Sequence, residues 1–106
     1  MEHKTKKIAE LLKILANEHR IMILCILLKK PETVGNILMQ IGDISQSALS
    51  QHLSILKRHN ILNSHKKGQK VTYSIADPHV EKILDTIKVC YCEKDKKKGG
   101  TLNESS

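Results

Sequence analysis

Phenylalanine and tryptophan are absent from this chain of 106 residues, and only two tyrosines stand in their place. Any core must therefore be aliphatic. The same shortage argues against single-stranded nucleic acid as a ligand, because such binding normally stacks bases on aromatic platforms. Acidic residues are also scarce: 11 Asp and Glu stand against 18 Lys and Arg, a net charge of +7 that favours a polyanionic partner. No long apolar run exists. The longest, Ile21 to Leu28, is eight residues, far short of a membrane span. The first residues alternate charged and apolar types as an amphipathic helix does, unlike a signal peptide, so a cytoplasmic protein is expected. A Gly-rich phosphate loop and a paired acid–base arrangement are both missing, which argues against an enzyme. The three cysteines are too few for a disulfide framework in a reducing compartment. They are either buried thiols or chemistry.

What is present reads as one domain over residues 1–93, followed by a polar tail, 94–106, whose composition predicts disorder. Ile8, Leu11, Leu12 and Leu15 give a first helical stripe. Asn17 is an N-cap for a second helix, Glu18 to Lys29, which is apolar on most sides and should lie centrally. Pro31 ends it. Thr33 caps a third helix with Val34, Ile37, Leu38 and Ile41 as its core face, and Gly42 closes that helix. Asp43 and Ile44 make a tight turn.

Residues 45 to 62 then carry two incompatible faces. Leu49, Leu53 and Leu56 form an apolar stripe that must be buried. Gln46, Ser47, Ser50, Gln51 and Ser54 fall opposite, with Lys57 and Arg58 at the end. That face is rich in donors and acceptors and poor in charge, which suits the base edges of a DNA major groove. Taken alone it also suits a plain polar surface helix.

Beyond Asn60 the period changes to two. Val71, Tyr73 and Ile75 alternate with Thr72 and Ser74 as a half-buried strand. Leu62 to His65 can pair with it across Lys66-Lys67-Gly68-Gln69, giving a small hairpin with a basic tip. A last helix begins near Asp77-Pro78 and carries Val80, Ile83, Leu84, Ile87 and Tyr91 on one stripe. The expected fold is therefore mainly α with a small β-hairpin, a winged helix-turn-helix of five helices. The apolar stripes of the first and last helices exceed what one small domain can cover, so they are expected to form the seam of a homodimer. Its twofold axis would match a palindromic operator in double-stranded DNA.

With these elements in place, the chain resembles the ArsR-type family of bacterial repressors. The resemblance rests on LLKILANEHRIMIL (11–24), TVGNIL (33–38), SQSALSQHLSILK (45–57) and VTYSI (71–75), and it covers roughly residues 8 to 93. It implies a homodimer that blocks transcription when bound and leaves DNA when an effector binds or modifies it. The residue-level reading gives matching roles: Gln46, Ser47, Ser50 and Gln51 face bases, with Ser54 on the same arc, and His52 reaches the backbone. Lys57, Arg58, Lys66, Lys67 and Lys70 contact phosphates, which supply affinity while base contacts supply sequence choice.

Three effector chemistries are implied by the resemblance. The family's thiolate metal site needs a Cys-x-Cys in the third helix. Here that segment is Pro31 to Asn36, with no cysteine, so that site is excluded. A second family site sits on the last helix as Asp-x-His followed, after ten intervening residues, by His-x-x-Glu or His. Asp77, His79, Cys90 and Glu93 fit its spacing with a Cys in place of a His, all four being possible zinc ligands. Asp77 as a helix cap and His79 as a surface residue are the plainer reading. Finally, Cys25 within RIMILC and Cys92 within YCE are similar in context to the HlyU, BigR and SqrR group of the family. There, one Cys from each of the two helices forms a dithiol sensor of persulfides or oxidants. Carried over, Cys25 and Cys92 are the reactive pair and Cys90 is extra; no cofactor is required. A rival of another class is an architectural protein that coats DNA without choosing sequence.

Overall fold

The computed structural model of the chain describes residues 1–93, and side chains as far as Cys90. The elements run α1 (Glu2–Leu15), α2 (Glu18–Lys29), β1 (Glu32–Thr33), α3 (Val34–Ile41), α4 (Gln46–Arg58), β2 (Leu62–Lys67), β3 (Lys70–Ile75), α5 (Pro78–Ile87) and a π-helical segment, Lys88–Glu93. The expected polar tail, 94–106, lies outside the described residues.

Capping residues set the helix starts. The side chains of Asn17, Thr33, Ser45 and Asp77 accept from the backbone N–H groups of Arg20, Asn36, Ala48 and His79, each satisfying a donor that has no partner within its helix. Gly42 closes α3 at φ 89° and returns its N–H to the Leu38 carbonyl. α4 ends differently. Asn60 takes φ 61°, its N–H donates to Lys57 O, and the Ile61 N–H donates to Leu56 O. That pair of bonds is a Schellman motif, with buried Ile61 packed under buried Leu56.

The core is aliphatic throughout, built from Leu15, Ile23, Leu24, Leu27, Ile37, Ile41, Leu49, Leu53, Leu56, Ile61, Leu62, Val80 and Leu84. α2 lies at its centre and packs against α3, α4, α5 and β3, as its all-round hydrophobicity requires. The stripes of α1 and α5 are each divided. Leu11 and Leu15 turn inward while Ile8 and Leu12 are about half exposed, and Val80 and Leu84 are buried while Ile83 and Ile87 are exposed. The outward halves are the surface expected of a dimer seam.

Two expectations need correction. The sheet has three strands in the order β1-β3-β2, because Glu32 and Thr33 pair antiparallel with Tyr73 and Thr72. A two-residue strand carries no alternation, so nothing in the sequence period announces it. The hairpin is also longer than expected, with pairing continuing to Lys67 and Lys70. Its turn is only Gly68-Gln69, with φ 65° at Gly68 alone, the sign pattern of a type II′ turn.

Candidate nucleic-acid interface

The exposed face of α4 is the arc that the sequence singles out. Gln46, Ser47, Ser50, Gln51, Ser54, Lys57 and Arg58 are all exposed, whereas Leu49, Leu53 and Leu56 are at most 1% exposed. At 3.6 residues per turn the exposed set spans about 140° of the helix. No carboxylate interrupts it. Ser45 holds the start of this helix through its Oγ, which accepts from Ala48 N at 3.1 Å. Ser45→Ala is expected to cost about 1 kcal/mol of stability, read as a lower denaturation midpoint. An unchanged midpoint would mean that packing alone fixes the first turn.

Beside α4 stands the wing of β2 and β3. Lys66, Lys67 and Lys70 are exposed at its tip, with Lys67 and Lys70 directly paired across the ladder. Facing like charges on neighbouring strands are unfavourable in isolation, an arrangement best relieved by an anion. Between α4, the wing and the start of α3 runs a cleft of about 500 Å³, lined in part by Thr33, Gly35, Gln46, Ser50, Lys70 and Tyr73. None of its lining residues is acidic. Sequence reasoning did not pick out Thr33, Gly35, Gln69 or Tyr73 for this surface. β1 brings Thr33 beside the wing, and that strand had no signal.

One residue expected at the DNA backbone is engaged within the chain. His52 lies beside Leu49, Leu53 and Leu56 on the inner arc and is half-buried. Its Nδ1 accepts from Arg20 Nε at 3.2 Å. Burial first, then the Arg20 guanidinium and His19, hold its pKa below the usual 6.5, so it is a neutral acceptor at neutral pH. The i, i+3 spacing from Leu49 was the available signal.

The effector candidates are placed as follows. Cys25 is half-buried in α2 and Cys90 exposed in the π-helical segment; the side chains of Cys92 and Glu93 lie outside the described residues. Asp77 Oδ1 accepts from the His79 N–H at 2.8 Å and lies 3.4 Å from His79 Nδ1. Among the described residues no three His, Cys, Asp or Glu side chains converge as a metal site within one chain. Cys90 follows His79 by eleven positions, about 16 Å at α-helical rise, so a four-ligand site would have to be shared between two chains. No helix among the described residues is long and apolar enough to cross a membrane.

A family model described as bacterial regulatory protein, arsR family, matches residues 17–64, from the cap of α2 into β2. Over 93 residues the chain is 39% identical to the transcriptional activator HlyU of Vibrio cholerae, spanning 88% of this chain and 85% of that protein. The chain belongs to the arsR family of bacterial regulatory proteins. Its fold agrees: the solved structure of Vibrio cholerae HlyU superposes with a TM-score of 0.82 over 87% of this chain and 99% of that one. A second structure of that protein is described as reduced HlyU. The transcriptional repressor BigR of Xylella fastidiosa gives 0.79 at 28% identity, over 87% and 93% of the two chains. Mb0332 of Mycobacterium bovis, described as a homodimeric winged helix-turn-helix DNA-binding domain, gives 0.74 at 25% identity, over 88% and 85%. This arsR-family chain is thus a winged helix-turn-helix transcriptional regulator and not an enzyme.

Proposed function

We propose that the chain is a homodimeric, sequence-specific regulator that leaves its operator when a dithiol of Cys25 and Cys92 is oxidised by reactive sulfur. It acts as a repressor, or as an anti-repressor that displaces another DNA-bound protein. The observation that carries the DNA reading is the acid-free exposed arc of α4 set beside a wing tipped by Lys66, Lys67 and Lys70. Gln46, Ser47, Ser50 and Gln51 read bases; the wing, Lys57 and Arg58 hold phosphates. The outward Ile8, Leu12, Ile83 and Ile87 form the seam between copies, and Mb0332 is described as a homodimer.

The sensing chemistry balances as two thiolate attacks. One thiolate takes the outer sulfur of an alkyl persulfide, releasing the alkyl thiolate and leaving a protein persulfide. The second thiolate attacks the protein-bound sulfur of that persulfide, forming the disulfide and releasing hydrosulfide. Two thiols are oxidised and one sulfane sulfur is reduced. Support comes from the half-buried Cys25 in α2, from the position of Cys92 in the segment after α5, and from the likeness to HlyU and BigR. A zinc-responsive regulator built on Asp77, His79, Cys90 and Glu93 is the second reading, favoured by the Asp77–His79 contact.

Peptide mass spectrometry and duplex binding after persulfide, peroxide or zinc treatment separate these readings. Persulfide should join the Cys25 and Cys92 peptides, directly or through added sulfur, and release DNA; Cys25→Ser should abolish both. Release that survives in Cys25→Ser removes the dithiol, and release by zinc alone moves the effector to the second reading. Weak binding that is equal on all duplexes would leave only an architectural role.

A further inference from the structure

The contacts of Arg20 join three helices. From α2, Arg20 donates through Nη1 to the Ile14 carbonyl at 3.0 Å and through Nε to His52 Nδ1 at 3.2 Å. Ile14 O belongs to the last turn of α1, where carbonyls lack partners within the helix. His19, also on α2, stacks obliquely on His52 with ring centroids 5.7 Å apart. Behind it, Asp43 in the turn before α4 comes within 3.7 Å of His19 Nε2. The charged and titratable groups around His52 are therefore Arg20 and His19, with Asp43 facing His19 instead.

Resting on the DNA-reading role of α4, we propose that Arg20 and His52 are positioning residues. Arg20 straps the end of α1 to the inner side of α4, and the strap holds only while the His52 ring is neutral. The reason is geometric. Nδ1 can accept from Arg20 only when its lone pair is free, which puts the ring proton on Nε2. Protonation at Nδ1 replaces that acceptor with a second donor and sets a cation against the guanidinium. The depressed affinity of His52 for its proton, caused by burial, Arg20 and His19, agrees. The sign follows from linkage: the unfolded chain takes up this proton near 6.5 and the folded chain at lower pH. Stability present above 6.5 is thus lost as pH falls from there through the depressed value. Because α1 carries the exposed Ile8 and Leu12, the strap also ties the proposed dimer seam to the reading helix.

Asn places an amide oxygen about where Nδ1 sits and does not titrate, so His52→Asn keeps the acceptor and removes the switch. His52→Leu removes both. The first measurement is the denaturation midpoint of each full-length chain at fixed protein concentration between about pH 7.5 and about pH 5.5. The wild type should lose more than His52→Asn across that window; parallel profiles overturn the strap. The second is affinity for a duplex selected from a random library by the wild-type chain. On acidification the wild type should weaken about fivefold relative to His52→Asn, the size of one net hydrogen bond, while His52→Leu should be weak throughout. Comparison with the Asn variant cancels every pH effect that the two chains share. A wild type that instead tightens relative to His52→Asn would make His52 a phosphate contact and overturn the proposal. If selection recovers no preferred duplex, the DNA reading fails, and the denaturation profiles alone still decide the strap.

Discussion

Replacing Lys66, Lys67 and Lys70 together by alanine should lower the log–log salt slope of operator binding by about 5 for a dimer with two wings, at about 0.9 per phosphate contact. Affinity at moderate salt should fall on the order of 10³-fold. All three ammonium groups sit on exposed positions of a hairpin tip, so their loss removes no packing, and with the facing Lys67 and Lys70 charges gone the denaturation midpoint should not fall. The effect should be uniform across sequences, since phosphates carry no base information. Gln51→Ala provides the contrast. It should cost about 1–3 kcal/mol on the preferred duplex and little on others, with the salt slope intact. Measuring affinity from low to moderate salt for the three proteins separates the two classes. A triple variant with the parental slope would place the wing away from DNA, and an unselective loss in Gln51→Ala would take base reading from that residue.

Truncating Leu53 to Ala should have the largest effect on stability. The side chain is 1% exposed on the inner arc of α4, where it joins Leu49 and Leu56 in a core whose buried members, among the described residues, are all aliphatic. Removing its methyl-bearing end forfeits both transfer energy and the contacts lining the space left behind, about 2–5 kcal/mol in comparable cores. Total stability for a domain of this size is typically about 5–15 kcal/mol, so a substantial share is at stake. Chemical denaturation at constant protein concentration should show a lower midpoint with an unchanged slope. A cost below about 1 kcal/mol would mean that the neighbours collapse to fill the gap, a degree of plasticity unusual in close-packed interiors.

These residues also show what can be read from a linear pattern. The inner leucines of α4, the caps at Asn17, Thr33, Ser45 and Asp77, and the exposed reading arc all follow from local rules: a 3.6-residue period, a short oxygen-bearing side chain before a helix, a helix face without carboxylates. Each rule involves neighbours within one or two turns. Glu32 and Thr33 pairing with Tyr73 and Thr72 is a contact between distant segments with no such signature. The same holds for Arg20 meeting His52, 32 residues away. The expected role of His52 at the DNA backbone takes no account of that contact. On the helical wheel His52 falls beside Leu49 and Leu56, toward the inner arc. The turn of the wing differs for a related reason: Lys66-Lys67-Gly68-Gln69 reads as loop, although Lys66 and Lys67 are strand residues carrying the ladder to a two-residue turn.

The junction at Asn60 and Ile61 has a mechanical consequence. Ile61 is fully buried; its N–H is fixed to Leu56 O in α4, while its carbonyl accepts from Ala76 N just beyond β3. A single residue thus rivets α4 to both strands of the wing. Bending between them would break two backbone bonds and unseat a core side chain. Helix and wing are thereby braced against splaying from one another. Under the proposed function, release of DNA would then come from the distance or twist between two such heads, where α1, α5 and the proposed strap from Arg20 lie.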